Sequence, residues 1–114
     1  MLTVQSLREF GANVDEGLTR CMGREDFYLR LVRMAREDSN MRKLREALDK
    51  NDLDAAFEAA HALKGVMANL ALTPVLKPVS EITECLRSRT QMDYQPLMRQ
   101  IETAWQQFTA LTDA

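Results

Sequence analysis

The chain carries a single histidine, His61, within the run Ala59-Ala60-His61-Ala62-Leu63-Lys64-Gly65. Imidazole, with an ordinary pKa of about 6.5, is the one side chain that is a competent neutral nucleophile near pH 7. Lys64 and Gly65, three and four residues further on, would be its neighbours on a helix surface. The lysine supplies a point charge. The glycine leaves bare backbone beside the ring, open to close approach. Glycine in a helix interior costs about 1 kcal/mol relative to alanine, so its position here invites a functional explanation.

The trio needs an element that turns it toward solvent. The segment from Asp52 to Leu72 is rich in Ala and Leu, free of proline, and reads as a helix. Projected at about 100° per residue, it places Ala59, Leu63, Val66 and Leu70 on one apolar face, with Ala56 and Met67 at its edges. His61 falls opposite, within about 40° of the direction facing water. That is a reactive or docking position, not a core position.

Helical periodicity continues on both sides. Residues 2 to 20 read as one or two short helices broken near Gly11, with Asn13 and Glu16 at capping-box spacing. After Gly23, Phe27, Leu31, Met34, Met41, Leu44 and Leu48 recur at bundle-like intervals. The polar group Glu37-Asp38-Ser39-Asn40 predicts a bend there, with Ser39 able to cap the next helical segment. Asn51-Asp52 supplies a turn and a cap for the His61 helix. Thr73-Pro74 predicts a hydroxyl cap followed by proline at the first helical position. Pro78 then implies either a distorted start or a helix beginning only near Pro78. A last helix is expected from about Asp93 to Leu111, with Leu97, Ile101, Ala104, Trp105 and Phe108 facing inward. The expected fold is all-α: an antiparallel up-down four-helix bundle over about 24–111, with short N-terminal covering helices over about 2–20. Residues 1–114 form one domain on this reading.

Composition narrows the chemistry. With 46% hydrophobic and 28% charged residues, the chain has the content of an ordinary folded soluble protein. A net charge of -2 leaves no footprint for nucleic-acid binding. No apolar run approaches the roughly 18 residues of a membrane span, and no signal-peptide pattern opens the chain. Cys21 and Cys85 read as two reduced thiols of a cytoplasmic protein. There is no metal-ligand cluster, no glycine-rich phosphate loop and no nucleophile elbow. The basic residues Arg30, Arg33 and Arg36, and likewise Arg87 and Arg89, read as solvated faces.

His61-Ala62-Leu63-Lys64-Gly65, followed by Asn69-Leu70-Ala71-Leu72, resembles the signature of histidine-containing phosphotransfer (Hpt) domains. The similarity extends to the acidic helix start, the alanine-rich approach and the Thr-Pro start of the next helix, covering roughly residues 24 to 111. Ala71, where family members often carry glycine, and Pro78 depart from the pattern. The resemblance implies a free-standing phosphoryl carrier of a multistep two-component phosphorelay. His61 would accept a phosphoryl group from a receiver-domain aspartyl-phosphate on its outer ring nitrogen and return it to another receiver. Lys64 would stabilise the phosphoryl charge, and Gly65 would admit a partner loop. The implied partners are receiver domains of response regulators or hybrid sensor histidine kinases, which would bring the Mg²⁺. No cofactor of its own, no nucleic acid and no membrane are expected, and a monomer is the default.

Asp54, Phe57 and Ala68 lie on the His61 side and would form a rim for docking, although Phe57 could instead tuck against a neighbouring helix. One rival reading is a helical adaptor that binds receiver or kinase domains without phosphotransfer. A helix-turn-helix DNA binder is disfavoured by the acidic balance and the lack of a basic recognition helix.

Overall fold

The computed structural model describes residues 2–113, and within them the regular structure is helical: α1 (Val4–Phe10), α2 (Val14–Arg20), α3 (Glu25–Ala35), α4 (Asn40–Asp49), α5 (Leu53–Asn69), α6 (Thr73–Arg87) and α7 (Gln95–Thr112). Short turns join α4 to α5 and α5 to α6, so these helices run antiparallel. α5 is the central element, packed most extensively against α4 and α6, and α7 closes the bundle against α6. None of the described helices is long and apolar enough to cross a membrane. The particle measures 42 × 25 × 19 Å.

The boundaries have local causes. Asn13 accepts from the Glu16 N–H and starts α2, and Asp52 accepts from the Ala55 N–H at 3.1 Å and starts α5. At 36–39 the first leg breaks into α3 and α4. There the cap comes from Asp38, whose Oδ1 accepts from the Asn40 N–H at 2.8 Å, and not from Ser39. Thr73 likewise makes no hydroxyl cap: its Oγ1 donates to the Ala71 carbonyl. α6 nevertheless begins at Thr73 and not near Pro78. Pro78 lacks the N–H that would bond the Pro74 carbonyl, and its ring is buried in the core side of the helix.

Chain reversal depends on one repeated motif. At the ends of α4, α5 and α6 the residue two beyond the helix turns left-handed, with φ of +54° at Asn51, +54° at Ala71 and +51° at Arg89. In each, paired backbone bonds satisfy the last carbonyls: Asn51 N to Leu48 O with Asp52 N to Ala47 O, and likewise Ala71 to Ala68 with Leu72 to Met67, and Arg89 to Leu86 with Thr90 to Cys85. Glycine is the usual occupant of this position, so Ala71 and Arg89 hold it at a conformational cost.

The core contains Tyr28, Val32, Leu44, Leu63, Met67, Ile82, Leu86, Ile101 and Phe108, all fully buried. Burying each such side chain contributes about 1.5–3 kcal/mol. In α3 the buried stripe is Tyr28, Val32 and Ala35, one residue away from the expected Phe27, Leu31 and Met34; Met34 is 62% exposed. Tyr28 sets this phase, because its hydroxyl donates to the Leu70 carbonyl at 2.8 Å and closes the end of α5. In α7 Met98 is buried and Trp105 lies half-buried, tilted against Phe108.

The N-terminal helices cover that same end. Asn13 N–H donates to the Ala71 carbonyl at 2.9 Å, Arg20 Nη1 donates to the Ala68 carbonyl at 2.6 Å, and Phe10 meets Phe108. They therefore add second donors to carbonyls at the α5–α6 turn and tie down that end of the bundle.

Candidate functional site

α5 carries the site. Its buried arc runs through Ala56, Ala59, Ala60, Leu63 and Met67, while Val66 is only half-buried. The arc is turned from the expected Leu63–Val66 centre because α5 is wedged between α4 and α6, and alanines at 56, 59 and 60 let both approach closely. His61 follows the buried Ala60 directly and faces solvent, together with Asp54, Glu58, Ala62 and Gly65.

Among the described residues the imidazole nitrogens have no hydrogen-bond or ion-pair partner; the ring is held by stacking. Its centroid lies 5.5 Å from that of Phe57 with 17° between the planes. Phe57 is half-buried against the core, so it tucks sideways toward α6 instead of standing out as a free docking surface. Two guanidinium groups lie over it, with Arg89 Cζ at 4.7 Å and Arg87 Cζ at 5.2 Å from the ring centroid. Arg87 and Arg89 are therefore part of the site's surroundings and not merely a solvated face.

Charged pairs extend the cluster along the α5–α6 seam. Arg89 Nε reaches Asp54 Oδ1 at 2.7 Å, which commits Asp54 to an ion pair within the chain. Arg87 Nη2 lies 3.3 Å and Lys64 Nζ 3.8 Å from the same oxygen, Glu84 Oε2. The site thus contains three cations against two carboxylates, in an arrangement that an added anion could rearrange. Beside it, a Cβ built on Gly65 meets nothing within 4 Å, so the backbone there is open. Ala68 is half-buried at the far end of the helix, its carbonyl accepting from Arg20. On the other flank an open groove of about 770 Å³ separates α4 from α5, lined in part by Lys43, Glu46, Lys50, Glu58 and Ala62.

Lys64, Gly65, Phe57 and Asp54 therefore all surround His61 or adjoin its neighbours, whereas Ala68 stands apart. Glu84, Arg87 and Arg89 join them without having been expected. A hairpin turning at 70–72 brings together residues about equally distant from the turn, which places Phe57 level with Arg87 and Asp54 level with Arg89. That register is the signal by which they could be found. No three His, Cys, Asp or Glu side chains among the described residues gather as a metal site.

The helical bundle thus presents to solvent an imidazole that is stacked on one face and has no hydrogen-bond partner among the described residues. A family model, the Hpt domain, matches residues 30–111, and the chain belongs to that family, the histidine phosphotransfer domains of two-component phosphorelays. The match begins within α3 and leaves α1 and α2 outside. Neither a curated protein nor a solved structure gives a significant match.

Proposed function

We propose that this chain is a phosphoryl carrier that takes its group from a receiver-domain aspartyl-phosphate onto His61 and passes it to a second receiver. The observation that carries the reading is the solvent-facing, unpartnered imidazole of His61 inside the family's matched region, with Lys64 and Gly65 one turn away. The lone pair of the outer ring nitrogen attacks phosphorus, the N–P bond forms, and the P–O bond to the partner's aspartate breaks, leaving a carboxylate. The reverse sequence delivers the group to another aspartate. Lys64 would leave Glu84 to neutralise the phosphoryl oxygens. The uncovered backbone at Gly65 would admit the partner's active-site loop, and the receiver would bring its own acidic pocket and Mg²⁺.

Docking would use the exposed face around His61 and Gly65, bordered by half-buried Phe57 and the Asp54–Arg89 pair, with Ala68 at its edge. Two free cysteines, one buried and one half-buried, support a reducing, cytoplasmic setting, and one self-contained core supports a monomer. The test is phosphotransfer from a panel of labelled receiver domains with His61→Gln as control. Binding that survives in the variant without any transfer in the wild type would identify an adaptor instead.

A further inference from the structure

We infer that Arg89 is a positioning residue for His61, acting across the α5–α6 hairpin through Phe57. The inference rests on the reading of His61 as the phosphoryl acceptor and extends it to a residue outside the signature.

The backbone raises the question. Arg89 stands at φ +51° just beyond α6, a conformation that favours glycine. The two bonds that close the helix there, Arg89 N–H to the Leu86 carbonyl at 2.9 Å and Thr90 N–H to the Cys85 carbonyl at 3.2 Å, are made by backbone and need no particular side chain. Chain reversal alone therefore gives no reason for an arginine.

The side chain supplies one. Arg89 Nε donates to Asp54 Oδ1 at 2.7 Å and Nη1 donates to the Leu86 carbonyl at 2.8 Å. Fixed at both ends, the guanidinium lies 4.7 Å from the Phe57 centroid, and Phe57 stacks on the His61 ring. Asp54, Arg89, Phe57 and His61 form one continuous chain of contacts. Each link removes freedom from the next, so the imidazole is held in one orientation before a partner arrives. Arg89 keeps this left-handed backbone while its side chain reaches across to the start of α5.

Glycine separates the two roles. Arg89→Gly relieves the backbone and deletes the side chain, whereas Asp54→Asn leaves the backbone alone and loosens the guanidinium. His61 is the only histidine, so its ring C–H signals in proton magnetic resonance are unambiguous, and stacking on Phe57 displaces them by ring current. In both variants those signals should move toward free-imidazole positions. Phosphorylation of His61 by phosphoramidate should slow roughly threefold to tenfold. The unfolding midpoint of Arg89→Gly should not fall. Ring signals unchanged in both variants would overturn the inference. So would a lowered midpoint in Arg89→Gly with wild-type signals in Asp54→Asn, which would make Arg89 a structural residue. If the wild type accepts no phosphoryl group, the carrier reading fails, while the ring signals still decide the role of Arg89.

Discussion

Lys64 and Glu84 face one another across the α5–α6 seam, Nζ 3.8 Å from Oε2, and Arg87 reaches the same carboxylate oxygen at 3.3 Å. The lysine beside the histidine is therefore held on a carboxylate when no phosphoryl group is present. An exposed pair of this kind contributes about 0–1 kcal/mol, little enough for a phosphoryl dianion to compete.

Lys64→Ala should accordingly slow transfer to and from a receiver while changing stability by only about half a kcal/mol. Rate measurements in both directions, paired with a denaturant melt, check this. Unchanged rates would remove Lys64 from the mechanism.

Two glycines should respond in opposite senses. A Cβ on Gly17 would lie 2.5 Å from Tyr28 Cε1, inside a packed ring, so Gly17→Ala should cost about 1–3 kcal/mol. Gly65 has open space instead, so Gly65→Ala should stabilise α5 by about 0.5–1 kcal/mol. The longer Gly65→Gln should leave the melt intact and weaken receiver binding. Urea melts of all three variants and a receiver titration test the pair.

Alkaline pH should loosen the covered end of the bundle. Burial, assisted by nearby Cys21, pushes the Tyr28 hydroxyl up to about 12, and burial also raises Tyr94, with Cys85 contributing. A folded-state pKa above the unfolded value of about 10 means the folded chain holds its proton more tightly. Stability is thus full below about pH 10 and lost as pH rises toward about 12. Tyr28→Phe should remove much of that loss, while costing about 1 kcal/mol at neutral pH because the Leu70 carbonyl loses its donor. Tyrosinate absorbance and melts across this range provide the readout.

The order of helices and the exposure of His61 are legible in the sequence because their causes are local: Asp52 caps α5, Gly11 ends α1, and the helical spacing of Ala59 and Leu63 leaves His61 outside the apolar face. What is not legible depends on tertiary partners. Counting apolar residues favours Met34 over Ala35 and Phe27 over Tyr28, yet the hydroxyl of Tyr28 answers a carbonyl 42 residues away and rotates the whole stripe. Arg87 and Arg89 look like solvated charge along one helix. Their meaning appears only when the hairpin sets them over Phe57. Ala71 likewise occupies a left-handed position, φ +54°, that glycine would take without strain, which helical periodicity does not reveal.

His61 alone should carry the phosphoryl group, and the position of the label decides this. After incubation with a phosphorylated receiver domain and Mg²⁺, the wild-type chain should hold an acid-labile, base-stable label. Addition of a second, unphosphorylated receiver should discharge it, and His61→Gln should never acquire it. An acid-stable label, or label persisting in His61→Gln, would mean that the phosphoryl group is carried elsewhere.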